Sequence, residues 1–299
     1  KLIMKHFLMR ISKTFIFFSF SLLLISCEKQ DKSTDFTAEH LFTAGIEGPA
    51  VDRNNNLYAV NFESEGTIGI VDTQGEVSLF IRLPDGSVGN GIRFDKEDNM
   101  FIADYVNHNV LMVSKGGKEV SVYAHHADLN QPNDLAIAPD GTLYASDPNW
   151  AESSGKLWKV TANGFELMEA DMGTTNGIEV SPDGSLLYVN ESVQRNIWVY
   201  DVDKSGHISN KRLFFKFPDF GLDGMRCDNQ GNLYVCRYDA GKVVVLNKEG
   251  KVIREIVLKG KKPTNIAFGG PDGKKCFVTL QDRGCFETFQ ASDSGRNFE

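Results

Sequence analysis

Six side chains that carry oxygen recur along the chain at nearly constant spacing. Each opens a short run of alternating apolar residues, and consecutive members lie 43, 43, 43, 47 and 42 positions apart. They are Glu47, Asn90, Asn133, Asn176, Asp223 and Asn265. Carboxylate and amide oxygens suit Ca²⁺, which accepts roughly six to eight of them, whereas structural zinc and copper sites use Cys and His. If the fold brings these side chains together, they predict a divalent-cation site, with Ca²⁺ favoured, Mg²⁺ or Mn²⁺ as alternatives and Zn²⁺ disfavoured.

The same residues have a purely structural interpretation. Asn and Asp tolerate the backbone angles of tight turns, and Asn-Gly and Asp-Gly pairs are common there. That interpretation accounts well for Asn90 and Asn265 but poorly for Glu47, because glutamate is a weak turn former. A cation would also relieve the repulsion between the carboxylates of Glu47 and Asp223 in a partly desolvated funnel. We therefore favour the cation site.

A second set of side chains follows each leading residue by 14 or 15 positions. Its members are Asn61, Asp104, Asp147, Glu191, Arg237 and Leu280. We predict substrate contacts from Asp104, Asp147, Glu191 and Arg237 of this set, together with Asn90. Arg237 is a candidate clamp for a carboxylate or phosphate. Charges at exposed strand ends are also ordinary, so this set equally fits a surface without function.

The spacing of the leading residues is that of a repeated unit of about 43 residues. Each copy starts with two short alternating strands joined by a turn of Asp, Asn and Gly. In the fourth copy two more strands follow, at residues 197–201 and 212–216. Four strands repeated six times is typical of an all-β, six-bladed β-propeller. In this fold the first strand of each unit faces a central channel, so the leading residues should meet at one mouth.

The last copy supplies only three strands, which suggests how the ring closes. Residues 39–43 resemble the outer strands at 77–81 and 120–123. We therefore expect residues 39–43 to complete the final blade, which removes an open sheet edge. The propeller should then span residues 38–290, followed by a C-terminal tail at 291–299.

The N-terminal segment has the pattern of a bacterial export signal. A basic start and an apolar run of about 11 residues end at Ser26-Cys27. Leu24-Ile25-Ser26-Cys27 is similar to a lipobox, in which the cysteine is lipidated. We expect a signal peptide at 1–26, a lipidated Cys27 with a flexible tether at 27–37, and a monomer in the cell envelope, held to the membrane only by its lipid.

The remaining composition restricts cofactors and partners. Four more cysteines, Cys227, Cys236, Cys276 and Cys285, show no C-x-x-C spacing, and we expect free buried thiols. The chain has 40 acidic and 32 basic residues, a net charge of −8. Nucleic-acid binding needs a basic surface, so we expect no nucleic-acid partner.

Five motifs, in order along residues 40–290, resemble the regucalcin/gluconolactonase family. They are Glu47-Gly-Pro, Pro132-Asn133-Asp134, Asn176-Gly177 with Ser181-Pro-Asp-Gly184, Asp223-Gly-Met225 and Phe268-Gly-Gly270. The resemblance implies a divalent cation, often calcium, at the channel mouth. It implies Glu47, Asn176 and Asp223 as its ligands, Asn133 as a contact to substrate or water, and Asp223 as a general base. Val51 and Gln131 depart from the family pattern, so the identity of the lactone stays open.

The function implied is metal-assisted hydrolysis of a lactone, a cyclic ester, with a sugar lactone or a related small lactone as substrate. The residues leave open whether Asp223 takes the proton of the attacking water or a hydroxide on the cation attacks directly. The alternative is a non-catalytic propeller lipoprotein that binds a ligand or glycan at the same mouth, because a fold by itself implies no activity.

Overall fold

The structure, a computed structural model, describes residues 31–296, and these residues form strands and loops only. The strands make six sheets, arranged as the blades of a propeller. Within each blade the strands of one repeat pair antiparallel in chain order, from the channel outward. The predicted all-β, six-bladed β-propeller is confirmed.

Two short strands, β1 (Asp31–Lys32) and β2 (Thr34–Asp35), precede the repeats. The innermost strands of blades 1 to 6 are β3 (Phe42–Val51), β7 (Gly89–Phe94), β11 (Leu135–Ile137), β15 (Thr175–Val180), β19 (Met225–Cys227) and β23 (Pro263–Gly269). The second strands are β4 (Leu57–Phe62), β8 (Met100–Asp104), β12 (Leu143–Asn149), β16 (Leu186–Glu191), β20 (Leu233–Arg237) and β24 (Lys275–Leu280). The third strands are β5 (Thr67–Val71), β9 (Asn109–Val113), β13 (Ser154–Thr161), β17 (Asn196–Val202), β21 (Lys242–Leu246) and β25 (Cys285–Gln290). The outer strands of blades 1 to 5 are β6 (Val77–Arg82), β10 (Val120–His125), β14 (Gly164–Met172), β18 (Ile208–Lys216) and β22 (Val252–Val257).

The ring closes through an N-terminal strand, but the segment differs from the one we predicted. β2 pairs antiparallel with β25 and forms the outer edge of blade 6. β1 pairs in parallel with β22 of blade 5. The closing strand is thus at residues 34–35, whereas 39–43 lead into β3, where Phe42 pairs with Phe62. Residues 31–37, expected in the tether, therefore belong to the propeller.

Apolar side chains fill the space between neighbouring blades. Between blades 1 and 2, for example, Ile68, Ile92 and Ile102 are fully buried in one cluster. Similar clusters lie between each of the other pairs of adjacent blades, including blades 6 and 1. Burying a side chain of this size contributes roughly 1.5–3 kcal/mol. This packing holds the innermost strands, and so the channel mouth, in a fixed arrangement.

Two predictions on the cysteines and the N-terminus have different outcomes. Cys227, Cys236, Cys276 and Cys285 are buried and free, as expected. The signal peptide at 1–26 and the lipidation of Cys27 fall outside the described residues, so they stay predictions. No helix within residues 31–296 could span a membrane.

Candidate metal and active site

A cavity of about 320 Å³ opens at the channel mouth where the innermost strands begin. Five of the six leading residues line it: Glu47, Asn90, Asn133, Asn176 and Asp223. The sixth, Asn265, is fully buried, and its Nδ2 donates to Oε2 of Glu47 at 3.1 Å. The fold therefore brings the leading residues together, with Asn265 supporting Glu47 from behind.

Three oxygens in this cavity are buried and accept no hydrogen bond from any described residue. They are Oε1 of Glu47, Oδ1 of Asn133 and Oδ1 of Asn176. Leaving a buried acceptor without a partner costs about 1–3 kcal/mol, and more for a charged group. A cation that accepts oxygen ligands would satisfy those of Glu47 and Asn176, and a hydrogen-bond donor on a substrate or a water would satisfy that of Asn133. The residues present thus fit a hard divalent cation.

Burial and like charge also act on the two carboxylates of the cavity. Burial, and secondly the nearby charge of Asp134, raise the pKa of Glu47 to about 7. Burial raises the pKa of Asp223 as well, and the charges of Glu47 and Asp134 add to the effect. A doubly positive ion would reverse both trends, because it stabilises the ionised forms.

The donor set is mixed rather than purely acidic. Nowhere in residues 31–296 do three or more His, Cys, Asp or Glu side chains group as they do around a metal ion. The cavity instead combines two carboxylates with amide oxygens from asparagine. Such a combination is typical of Ca²⁺ ligation.

Gly48 lets the neighbouring blade approach Glu47 closely. Its φ is +59°, and a Cβ there would lie 2.2 Å from the backbone oxygen of Asn90. We expect Gly48→Ala to lower the free energy of unfolding by about 2 kcal/mol or more, because the left-handed angle and the contact both oppose a side chain. Chemical denaturation checks this. Gly116→Ala is the control for the angle alone, since Gly116 has φ +66° and open space around it. Equal losses in both variants would contradict the role of the contact.

The predicted second ring does not line the cavity, and this corrects the substrate contacts assigned to it. Asp104 accepts from Ser87 Oγ at 2.7 Å, and Asp147 accepts from the backbone N–H of Gln131 at 2.7 Å. Glu191 likewise accepts from the backbone N–H of Gly173 at 2.8 Å. These carboxylates tie the loop that arrives from the preceding strand to the second strand of the blade.

Arg237 is also engaged away from the cavity. Its Nη2 donates to Oδ1 of Asp219 at 3.0 Å, and its guanidinium lies 3.6 Å from the centre of the Phe217 ring. It is therefore not placed to clamp an anionic substrate.

Eight cavity residues were missed by the sequence reasoning. Four belong to innermost strands, namely Ala44, Gly45, Ile46 and Thr264, and the other four share a position in the repeat. These four lie on the loops that follow the second strands of blades 3 to 6: Trp150, Ser192, Tyr238 and Gln281. Tyr238 donates its hydroxyl to Oε1 of Gln281, whose Nε2 donates to the backbone oxygen of Ala44 at 2.9 Å. The signal was present in the repeat, since the four loop residues follow the leading positions by 15 to 17 residues instead of 14 or 15.

A cluster of buried charges lies deeper in the channel. Asp134, next in sequence to Asn133, pairs with Arg93 at 3.1 Å and with Arg226 at 3.5 Å. All three residues are buried. Burial and repulsion from Arg226 lower the pKa of Arg93 to about 10. The cluster forms a second polar layer between the cavity and the far end of the channel.

Part of the predicted C-terminal tail packs across that far end. Gly295 forms a β-bridge with Asp228, and Nε of Arg296 donates to Oε1 of the buried Glu179 at 2.8 Å. Nη2 of Arg296 also donates to the backbone oxygen of Ile137 at 2.8 Å. Residues 291–296 are therefore an integral part of the propeller.

The sequence and the fold are similar to those of known proteins. Residues 45–282 match the protein family described as the SMP-30/Gluconolactonase/LRE-like region. The chain is 26% identical over 269 residues to a gluconolactonase of Zymomonas mobilis, which covers 78% of this chain and 75% of that protein. It is 26% identical over 287 residues to diisopropyl-fluorophosphatase of Loligo vulgaris, covering 84% and 90%. A solved structure described as regucalcin, a calcium-binding protein from Agrobacterium tumefaciens, has a TM-score of 0.76 at 19% identity, covering 89% and 96%. The structural likeness concerns the fold.

Proposed function

Since the chain belongs to the SMP-30/gluconolactonase/LRE-like family, we propose that it is a metal-dependent hydrolase of small lactones. The observation that carries the proposal is the set of buried, unpartnered oxygens of Glu47, Asn133 and Asn176 around one cavity. The similarity of the chain to a gluconolactonase over most of the chain's length supports the reaction class. The matched family region contains every leading residue of the repeats.

We assign the cation to Glu47, Asn176 and Asp223, with Ca²⁺ preferred for its acceptance of carboxylate and amide oxygens. When bound, such a cation polarises the lactone carbonyl and makes water a better nucleophile. Asn265 holds Oε2 of Glu47 through its amide at 3.1 Å, and Oε1 stays without a hydrogen-bond partner among the described residues. The protein thus fixes the orientation of its carboxylate before any ligand binds.

The chain's own residues then handle the substrate and the proton. Asn133 and Asn90 line the cavity and orient the lactone by hydrogen bonds. Asp223 accepts a proton from the attacking water while the water oxygen bonds to the carbonyl carbon of the lactone. The bond between that carbon and the ring oxygen breaks, and the ring oxygen takes the proton from Asp223. The product is the open hydroxy acid.

Removing divalent cations should abolish hydrolysis. We expect treatment with a chelator to lower kcat/KM for a lactone substrate at least about a hundredfold and Ca²⁺ to restore it, because the unpartnered oxygens are built to hold an ion. At a concentration near 100 times its Kd, Ca²⁺ should also stabilise the fold by about 2.7 kcal/mol. Lactone hydrolysis followed by pH-stat and a thermal shift assay measure the two effects.

Two results separate the possible failures. Full activity in protein shown by elemental analysis to be metal-free would overturn metal dependence. Calcium binding with no hydrolysis of any lactone would instead favour a ligand-binding propeller.

A further inference from the structure

Three large apolar side chains on loops at the cavity end of blades 3, 4 and 5 are exposed. Trp150 is 45% exposed, Val193 52% and Phe220 50%. Apolar residues on a monomer surface are ordinary when scattered, but a group at a cavity suggests contact with a ligand. We call these three residues the apolar rim.

The rim is continuous with the cavity on the side of blades 3 and 4. Trp150 itself lines the cavity, and Val193 follows the lining residue Ser192. The loops that carry them are joined, because Nε2 of Gln194 donates to the backbone oxygen of Ser153 at 2.9 Å. Trp150 therefore lines the cavity, and Val193 lies on the adjacent loop, next to a lining residue.

Phe220 extends the rim on blade 5. The backbone N–H of its neighbour Gly221 donates to the backbone oxygen of Tyr238, a lining residue, at 3.2 Å. A Cβ at Gly221 would lie 3.5 Å from Oγ of Ser192, so this loop also touches the blade 4 loop. Phe220 thus sits beside the same mouth as Trp150 and Val193.

The backbone of Phe220 is strained. Its φ is +48°, in the left-handed region that bulky side chains avoid. Such strain costs on the order of 1–3 kcal/mol and is concentrated at ligand sites. Since the side chain is half exposed, its burial in the protein does not compensate for this strain.

The charged residues that line the cavity also bear on the class of substrate. Among its lining residues only Glu47 and Asp223 are charged, and both are acidic. Neither Lys, Arg nor His lines it in the described part of the chain, and Arg237 is engaged elsewhere. The cavity lining therefore holds no cationic side chain for a carboxylate, sulfonate or phosphate on the substrate, and Lys262 lies outside it against Tyr238, with its Nζ 5.5 Å from the centre of the ring.

From these observations we infer that the preferred substrate is an uncharged lactone with an apolar substituent, an alkyl or acyl chain, which lies on the apolar rim while the ring occupies the cavity. This inference rests on the proposed function, since it names the substrate class of the same site. It places the hydrophobic part of the substrate on Trp150, Val193 and Phe220.

The test compares γ-lactones that carry methyl, propyl or pentyl substituents with D-glucono-δ-lactone, all in saturating Ca²⁺. For the native protein we expect kcat/KM to rise roughly fourfold for each methylene that the rim covers, mainly through KM. Trp150→Gln and Phe220→Asn should reduce the ratio of kcat/KM for the pentyl lactone to that for gluconolactone at least tenfold. Asn is chosen at 220 because it tolerates a positive φ.

The matched control is an exposed apolar residue on an outer strand. Val122, on β10, is 57% exposed and lies on the outermost strand of blade 2. Val122→Asn should leave the chain-length series unchanged, which excludes a general effect of surface polarity.

Each other outcome has one meaning. If gluconolactone is hydrolysed but kcat/KM does not rise with chain length, the inference fails while the proposed function stands. If no lactone is hydrolysed, the proposed function itself fails. If the rim variants lose binding to vesicles of phosphatidylethanolamine and phosphatidylglycerol but keep the native chain-length series, the rim is a membrane contact and the inference is overturned.

Discussion

Asp223→Asn should eliminate calcium binding and lower kcat/KM for lactone hydrolysis about a thousandfold or more, while the metal-free variant becomes more stable than the native protein. The loss follows because Asp223 is both a proposed cation ligand and the proposed base. The gain in stability follows because Asp223 and Glu47 repel each other in a buried cavity, and burial already raises the pKa of both. Calorimetric titration with Ca²⁺, kinetics and a melting curve in chelator measure the three effects. We expect the Tm without metal to rise by a few degrees.

Asp228→Asn is the matched control, since Asp228 is a fully buried carboxylate in the same blade. Its Oδ1 accepts from the backbone N–H groups of Gln230 and Asn232 at 3.0 and 2.8 Å. This variant should lose about 1–2 kcal/mol of stability and bind Ca²⁺ normally. Unchanged Ca²⁺ affinity in Asp223→Asn would contradict the proposed metal site.

The leading residues could be predicted from the sequence because the fold repeats them. A residue that opens every innermost strand must face the channel, whatever the details of the loops. Period and residue type were therefore enough to select the six leading residues as neighbours, whereas the family resemblance was needed to single out Glu47, Asn176 and Asp223 as ligands. The residues that support them were harder to predict from the sequence. Asn265 looks like another member of the ring, yet it lies behind Glu47 as a hydrogen-bond donor.

The side chains of the predicted second ring do not reach the cavity because they point toward the loops. Asp104, Asp147 and Glu191 end their strands close to the mouth, but they accept hydrogen bonds from loop N–H groups. The next few residues, on the loop itself, reach the cavity instead, as Trp150 and Tyr238 do. Counting positions along a repeat locates the correct end of a blade, whereas loop conformation decides which side chain points to the axis.

The sequence predicted that an N-terminal strand closes the ring, but it predicted the wrong segment for that strand. Residues 39–43 resemble an outer strand in sequence, whereas the strand at 34–35 has only two residues and both are polar. Backbone hydrogen bonds with β25 hold residues 34–35, and ion pairs of Asp35 with Lys259 and with Arg283, the latter at 2.7 Å, add to them. Ion pairs between residues so distant in sequence have no local pattern to announce them.

The charged layer deeper in the channel was not predicted because Asp134 has two interpretations. In sequence it completes an Asn-Asp pair typical of a turn. In the fold it is 1% exposed and held between Arg93 and Arg226. Its charge also raises the pKa of Glu47 and of Asp223, so the deep layer and the candidate cation site interact electrostatically.

Arg93→Met should lower the free energy of unfolding of the metal-free protein by about 3 kcal/mol or more. Arg93 is the nearer of the two arginines to Asp134, and its removal leaves this buried carboxylate with only the longer contact to Arg226 at 3.5 Å. The double variant Arg93→Met/Asp134→Asn should recover part of the loss, because the carboxylate that Arg93 compensated is then gone, while Arg226 loses its own contact with Asp134 at 3.5 Å. Because the substitution removes a positive charge near the cavity, it should also tighten Ca²⁺ binding. Guanidinium denaturation in chelator and calorimetric titration measure the two quantities.

The control is an exposed pair of the same type. Arg212 and Asp201 lie 2.8 Å apart, but their side chains are 42% and 44% exposed. Arg212→Met should cost less than about 1 kcal/mol, because water screens that pair and hydrates the remaining charge. If Arg93→Met and Arg212→Met cost the same, the deep layer does not stabilise the channel. A loss in the double variant equal to the sum of the two single losses would likewise show that Arg93 and Asp134 act independently.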